Sequence, residues 1–176
     1  VILWIKERLK PQTCLVLLPS LSLLSQTLHE WTANCKDEFE VLCVCSDATV
    51  GKRNTNEDLR ISEAPFDVTS DPDIIRTFLK QSRPKVIFCT YQSSELIGKV
   101  QGNAVIDLVV GDEAHRCAGS ATASFTKVLD NKFIKAKKRL FTTATPRVFS
   151  KATVKSADAR GHQIYGMDDE TVFGPI

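Results

Sequence analysis

Two adjacent carboxylates, Asp112 and Glu113, directly follow an apolar run of strand length, and His115 lies two residues further on. Two acids buried side by side are unfavourable unless a cation shares their site. Mg²⁺ with nucleotide phosphates meets that need, because Asp112 can hold the ion, directly or through water, while Glu113 positions and deprotonates an attacking water. The alternative is a solvated acidic turn in which His115 is a surface or satisfied polar residue. The position at a strand end favours the catalytic interpretation.

The elements predicted around this pair form an α/β domain, since apolar strands alternate with amphipathic helices and so predict a parallel sheet covered on both faces. In such sheets the functional residues gather at the carboxyl ends of the strands. The predicted strands are Thr13–Leu18, Glu40–Ser46, Lys85–Thr90, Ile106–Asp112 and Arg139–Thr143. The predicted helices are Val1–Leu9, one from Leu21 capped by Ser20, one that starts at Asp71-Pro72, and Ala121–Leu129. Residues 47–70 are predicted to be a surface excursion with a short strand at Leu59–Ile61.

Composition limits the function classes. The chain has 176 residues, which suffice for one domain with a full core. Lys and Arg exceed Asp and Glu by only 23 to 21, so contact with a polyanion has to be local, at loops and helix N-termini. No apolar run approaches the roughly 20 residues of a membrane helix. No membrane partner is therefore expected. The six cysteines include no CxxC pair and four of them lie inside apolar strand-like runs, which predicts reduced core thiols and a cytoplasmic protein.

Four segments resemble, in order, the named motifs of superfamily 2 helicases and translocases of the DEAH-box type. They are Leu17–Gln26 for motif Ia, Phe88–Ser93 for motif Ib, Asp112–His115 for motif II or Walker B, and Phe141–Arg147 for motif III. The tail Gly166–Pro175 resembles the segment after motif III in the helicases of single-polypeptide, type I-like restriction systems. The resemblance implies the first RecA-like motor domain, with a P-loop NTPase fold, ATP and Mg²⁺ as cofactors, and duplex DNA, one strand of which is tracked, as partner.

The resemblance also implies roles for single residues. Asp112 would hold Mg²⁺ and Glu113 would activate water, with His115 linked to Thr143 and Thr145 to couple hydrolysis to strand movement. Residues implied to contact one DNA strand are Pro19, Ser20, Gln26, Thr90 and Tyr91.

Each of these roles has a plainer alternative. Ser20 can be a simple helix cap, which does not exclude phosphate binding, and Gln26 can lie on a solvated helix face. The pair Thr143 and Thr145 can simply cap a strand end, and Arg147 can face either the site or the solvent. The basic run is more typical of a solvated helix exit than of a DNA patch; it comprises Lys132, Lys135, Lys137, Lys138 and Arg139.

No GxxxxGK[ST] loop occurs in the chain, since Gly51-Lys52 and Gly98-Lys99 lack its other residues. Residues 1–10 take the place of the helix that follows this loop in the family. We therefore expect residues 1–176 to be a single partial RecA-like domain truncated at the Walker A phosphate loop, with that loop immediately upstream of Val1. The second RecA-like domain, with its arginine finger, would also lie outside the chain, and the isolated piece would not hydrolyse ATP measurably.

The sequence also bears on three other functions. A zinc hydrolase is disfavoured, because His29-Glu30 lacks the second His of HExxH, and His115 with Cys117 cannot make a site alone. A non-hydrolysing nucleic-acid-binding or scaffolding domain on a helicase fold would not need the adjacent acids. An RNA helicase stays open, because backbone contacts separate DNA from RNA poorly. Fused or associated nuclease or methyltransferase domains are compatible with the sequence.

Overall fold

The computed structural model describes residues 1–45, 67–120 and 125–175. Its strands are β1 Thr13–Leu18, β2 Glu40–Val44, β3 Val68–Thr69, β4 Lys85–Thr90, β5 Ile106–Gly111, β6 Gly119–Ser120, β7 Ala136–Phe141 and β8 Ile164–Tyr165. Its α-helices are α1 Ile2–Leu9, α2 Leu21–Asn34, α3 Pro72–Leu79, α4 Ser94–Val100, α5 Lys151–Asp158 and α6 Glu170–Phe173. Short 3₁₀ helices cover Tyr91–Ser93, Ala114–Cys117 and Thr126–Leu129.

A six-stranded sheet in the order β3-β2-β4-β1-β5-β7 forms the centre of the domain, and all of its pairings are parallel. Strands β6 and β8 pair separately and antiparallel. Because β1 is buried on both sides, its residues alternate between two cores. Cys14, Val16 and Leu18 pack with α2 residues such as Leu24 in one core, and α1 covers the same face. On the other face, Leu15 and Leu17 pack with residues of α3 and α4. The predicted α/β architecture is confirmed.

The helices that lead out of the sheet begin where the sequence indicates. Ser20 is extended, and its hydroxyl accepts a hydrogen bond from the N–H of Leu23 at 3.3 Å, which caps α2. Asp71 caps α3 through bonds from Asp73 and Ile74, and Pro72 occupies the first turn. Helix α1 ends at Leu9 and is capped by Lys10, which has a left-handed backbone and donates its N–H to the carbonyl of Lys6.

Several predicted boundaries were wrong. Strand β7 begins at Ala136 and ends at Phe141, instead of covering Arg139–Thr143, because Lys137 and Lys138 are exposed on an edge strand and hide its pattern. The basic run therefore leads into strand β7, whereas the sequence predicted that it follows the end of a helix. Strands β2 and β5 end at Val44 and Gly111, before the predicted ends.

Other elements were missed or lie outside the described residues. The short β3 and the helix α4 were not predicted. Of the predicted helix 121–129, the part at Thr126–Leu129 is a 3₁₀ helix and residues 121–124 lie outside the described part. The predicted strand at Leu59–Ile61 also lies outside it.

The six cysteines all lie in the described part of the chain and are free thiols, as predicted, five of them buried. Burial raises the pKa of Cys14, Cys43 and Cys117 to about 12 in each case, so these thiols behave as small apolar side chains. In the part of the chain that the structure describes, no helix combines the length and the apolar character that spanning a bilayer requires.

Candidate functional site

The carboxyl edge of the sheet brings the predicted residues together. In the parallel register, Leu18 lies beside Thr90, Leu17 beside Gly111, and Gly111 beside Phe141. The loops that follow these positions therefore emerge side by side. This is the edge at which parallel α/β sheets bind their ligands.

Asp112 is held at three points by neighbouring strand ends. Its N–H donates to the carbonyl of Leu17 at 3.0 Å, and its own carbonyl accepts a bond from the Tyr91 hydroxyl at 2.8 Å. Its carboxylate Oδ1 accepts from the Thr142 hydroxyl at 2.8 Å and from the Glu113 N–H at 3.0 Å. Both carboxylate bonds go to Oδ1. The geometry therefore fixes the carboxylate and leaves Oδ2 for a further ligand.

Glu113 adopts a left-handed backbone conformation, with φ 51° and ψ 45°. For a residue with a Cβ this costs roughly 1–2 kcal/mol, and such conformations cluster at functional sites. The next residue holds the turn in place, because the Ala114 N–H donates to the carbonyl of Thr142 at 2.9 Å. The turn lifts the Glu113 side chain out of the sheet edge, where it is 36% exposed.

His115 joins Glu113 to the end of β7. Its Nδ1 lies 3.0 Å from the Thr143 hydroxyl, 3.5 Å from the Thr145 hydroxyl and 3.2 Å from Glu113 Oε2. The Thr143 hydroxyl is also 3.3 Å from the same Glu113 oxygen, and it accepts the N–H of Thr145 at 3.1 Å. The four residues thus form one hydrogen-bonded cluster that joins two segments about 30 positions apart in sequence. Their roles in hydrolysis and coupling stay predictions.

The donor set at Asp112 fits Mg²⁺ held jointly with a nucleotide. No group of three or more His, Cys, Asp or Glu side chains stands ready to enclose a metal within the described ranges. Mg²⁺ does not need such a cage, because it keeps several waters and binds through one or two carboxylates plus substrate phosphates. Asp112 Oδ2 can supply the protein oxygen, and the half-exposed Glu113 lies beside it.

The residues predicted to contact DNA after β1 differ in exposure. Ser20 is partly buried and caps α2, whereas Gln26 is exposed and its amide lies 3.4 Å from Glu30 Oε1. Pro19 is buried, so its side chain shapes the loop and does not form the surface. The N-terminus of α2 still faces the carboxyl edge of the sheet, which suits a phosphate.

Thr90 and Tyr91 have buried side chains, each 1% exposed. The Thr90 hydroxyl bonds to that of Ser93 at 3.0 Å, and the Tyr91 ring packs at 5.4 Å from that of Phe125. The sequence placed both side chains against nucleic acid, but the structure uses them inside the domain. Any contact with a phosphate chain at this loop would come from its backbone or from the exposed Gln92.

Thr142 was missed as a site residue. Its hydroxyl bonds the Asp112 carboxylate, and its N–H donates to the Gly111 carbonyl at 2.9 Å. The sequence shows a third hydroxyl directly before Thr143, but only the register of β7 against β5 places it opposite Asp112.

Three residues of the basic run, Lys135, Lys137 and Arg139, have intramolecular partners for their side chains. Arg139 donates to the carbonyls of Val128 and Ile134 and to Asn131 Oδ1, at 3.0, 2.6 and 2.8 Å. Lys135 bonds the carbonyl of Gly102 at 2.7 Å, and Lys137 pairs with Asp107 at 2.6 Å. These bonds stabilise the segment before β7, which favours a structural role over a DNA patch. Arg147 is exposed, with its guanidinium 6.0 Å from the Phe149 ring.

Comparison with known proteins agrees with this geometry. The profile of the family described as "Type III restriction enzyme, res subunit" (ResIII) matches residues 1–148. The "Probable helicase A859L" of African swine fever virus, isolate Pig/Kenya/KEN-50/1950, is 33% identical over 148 residues, which are 84% of this chain and 16% of the viral protein. The protein of the same name from the Badajoz 1971 Vero-adapted strain matches equally, at 33% over 148 residues.

Two solved structures share the fold. One is a nuclease-deletion mutant of the Type ISP restriction-modification enzyme LlaGI in complex with a DNA substrate mimic, with a TM-score of 0.70 and 29% identity over 99% of this chain and 14% of that one. The other is the ATP-dependent Type ISP enzyme LlaBIII bound to DNA, with a TM-score of 0.74 and 30% identity over 98% of this chain and 12% of that one. The chain thus spans less than a fifth of these relatives. The resemblance to superfamily 2 helicases and to single-polypeptide restriction enzymes is confirmed, and the chain belongs to the ResIII family, with the RecA-like fold of its helicase domains.

Proposed function

We propose that this chain is part of the first motor domain of an ATP-driven DNA translocase of a restriction-modification system. The main support for this proposal is the hydrogen-bonded cluster at the carboxyl edge of the sheet, in which Glu113, His115 and Thr143 meet next to the Asp112 carboxylate. A purely structural strand end has no use for a strained glutamate held by a histidine and a threonine. The DNA complexes of LlaGI and LlaBIII support DNA as the partner.

Each residue of the cluster has a defined task in this proposal. Bound Mg²⁺ would neutralise charge on the nucleotide phosphates. Asp112 presents Oδ2 to the ion, because Thr142 and the Glu113 N–H hold Oδ1. Glu113 accepts the proton of the attacking water, and His115 with Thr143 fixes the orientation of its carboxylate. Thr145 extends the link towards the exposed loop after β7.

Nucleic acid would run along the loops after β1 and β4. The first turn of α2 presents N–H groups and the positive end of a 14-residue helix. This site needs no Lys or Arg, which agrees with a net charge of only +2. Ser20 and the exposed Gln26 are the proposed contacts after β1. After β4 the proposed contacts are backbone groups and Gln92.

The test is ATP turnover by the full-length protein, measured without nucleic acid and with duplex DNA, single-stranded DNA or RNA. We expect duplex DNA to give the largest stimulation. If only RNA stimulates turnover, the proposal of an ATP-driven motor stands, but its nucleic-acid partner is RNA and not DNA. Absence of turnover with DNA still bound would leave a binding module on a helicase fold and contradict the proposal.

A pair of variants identifies the site responsible. Asp112→Asn should abolish the stimulated turnover, because the amide cannot hold Mg²⁺ as the carboxylate does. The matched change Asp37→Asn, at an exposed position between α2 and β2, should leave turnover within about twofold, because surface substitutions away from structural features have small effects.

A further inference from the structure

Tyr91 follows β4 directly and is one of two tyrosines in the chain. Although its side chain is 1% exposed, its hydroxyl is not buried among apolar groups alone, because it donates to the carbonyl of Asp112 at 2.8 Å. The bond joins the end of β4 to the end of β5, across the intervening β1.

The end of β5 is shaped to admit this hydroxyl. At Gly111, a Cβ atom would lie 2.8 Å from the Tyr91 oxygen and 2.9 Å from Cδ1 of Phe141. Any residue other than glycine would therefore displace the tyrosine or the phenylalanine. Gly111 is the last residue of β5, and it lies where the Tyr91 side chain crosses the end of the strand.

The loop that carries Tyr91 is itself fixed. The Ser94 hydroxyl donates to the Tyr91 carbonyl at 2.7 Å, and the Thr90 hydroxyl bonds Ser93 at 3.0 Å. These bonds lock the turn that leads into α4, while Gln92 on the same turn is exposed. A displacement of this turn at its exposed side therefore moves the Tyr91 hydroxyl with it.

We propose that Tyr91 is a positioning residue that transmits binding at the β4–α4 turn to the acidic pair, through its hydrogen bond to the backbone of Asp112. The proposal rests on the nucleotide and DNA binding proposed above. Asp112 has a second backbone bond, to Leu17, at the strand end that leads into the loop before α2. Both loops on the proposed DNA side are thus tied by one hydrogen bond each to the peptide of the residue that would hold Mg²⁺.

The experiment compares the full-length protein with Tyr91→Phe, which keeps the ring and removes one donor. Tyr165→Phe, on strand β8, removes the same hydroxyl elsewhere and serves as the matched control. The first readout is binding: the Kd for duplex DNA is measured with and without a non-hydrolysable ATP analogue. The ratio of the two values is the coupling factor between the sites, and it does not depend on turnover.

We expect Tyr91→Phe to bring the coupling factor close to one, while the Kd for each ligand alone stays within about twofold of the wild type. The stimulation of ATP turnover by DNA, taken as the ratio of turnover with and without duplex, should fall about tenfold. Gly111→Ala, which displaces the same hydroxyl without deleting it, should lose coupling in the same way. Tyr165→Phe should behave as wild type.

Other results overturn the inference in distinguishable ways. A lower melting temperature with an unchanged coupling factor would assign Tyr91 a purely structural role. Weaker DNA binding in the absence of nucleotide would make it a direct contact. Wild-type protein without DNA-stimulated turnover and without coupling would overturn the proposed function together with this inference. If DNA stimulates the ATP turnover of the wild type and Tyr91→Phe has the same stimulation and coupling factor, this inference alone is overturned.

Discussion

At the scale of single residues, the candidate site combines strain with restraint. Glu113 has a left-handed backbone, and His115, Thr143 and the backbone around Thr142 hold the turn in place. Strain of this kind persists only where surrounding contacts determine the conformation. The residue therefore contributes less to stability than a glycine would, and we attribute its presence to the carboxylate.

Glu113→Gly should stabilise the turn relative to Glu113→Ala by about 1 kcal/mol, because glycine tolerates a positive φ and alanine does not. At an ordinary position the order is reversed. Native-state hydrogen exchange of the segment 106–118 in the full-length protein measures the difference as protection of its amides. Equal protection, or greater protection in the alanine variant, would show that the turn is unstrained.

Thr142→Val should weaken the hold on Asp112 without disturbing the strand end, since valine has the same shape and lacks the hydroxyl. We expect about a tenfold fall in DNA-stimulated turnover and a higher Mg²⁺ concentration for half-maximal rate. Thr77→Val, at an exposed position of α3, is the matched control. An unchanged Mg²⁺ requirement in Thr142→Val would contradict the role given to this hydroxyl.

At the scale of elements, the two edges of the sheet have different functions. The carboxyl edge carries the candidate site, and the amino edge is stabilised by Asp107. The carboxylate of Asp107 accepts the N–H of Thr13 at 3.0 Å and pairs with Lys137 at 2.6 Å, which joins β5 to β1 and β7. Partial burial alone would raise the pKa of Asp107, but its hydrogen bonds from Lys137 and Thr13 bring the pKa below the usual 3.8.

The lowered pKa gives Asp107 a defined pH dependence. A carboxyl whose pKa is lower in the folded state stabilises the fold above its unfolded pKa, and this contribution is lost as pH falls through the folded value. Asp107→Asn should therefore cost about 1 kcal/mol of unfolding free energy at pH 7, and the difference should vanish in acid below the folded pKa. Denaturant unfolding of the 176-residue chain, followed by the fluorescence of buried Trp31, measures it at each pH. A difference that grew towards acid would contradict the assignment.

The same scale shows what sequence could predict. Strands β1, β4 and β5 are mostly apolar, so their extents and parallel pairing were predicted closely. Strand β7 was misplaced, because an edge strand tolerates Lys137 and Lys138 and loses its pattern. The cluster of Glu113, His115 and Thr143 was predicted through the family motifs. The hydrogen bonds of Tyr91 and Thr142 to Asp112 were not predicted. They depend on the long-range register of the strands and on the space left by Gly111, which local patterns do not encode.

At the scale of the whole molecule, we propose that the chain is one part of a larger motor. It spans 16% of the viral helicase and 12% of LlaBIII, so in this proposal residues elsewhere complete the binding of cofactors and partners. The near-neutral charge would then place the attraction for DNA at helix ends and loops. We propose that Glu113 activates the water that attacks ATP, and that nucleotide binding does not depend on Glu113.

The most direct measurement is therefore ATP binding and DNA-stimulated turnover of full-length Glu113→Gln beside wild type, with Glu38→Gln, at an exposed position before β2, as the matched surface change. The amide keeps the size of the side chain and cannot accept the proton. We predict ATP affinity within about threefold of wild type and turnover lower by a factor on the order of 10³, which corresponds to about 4 kcal/mol of transition-state stabilisation. Turnover within tenfold of wild type, with ATP still bound, would contradict the account.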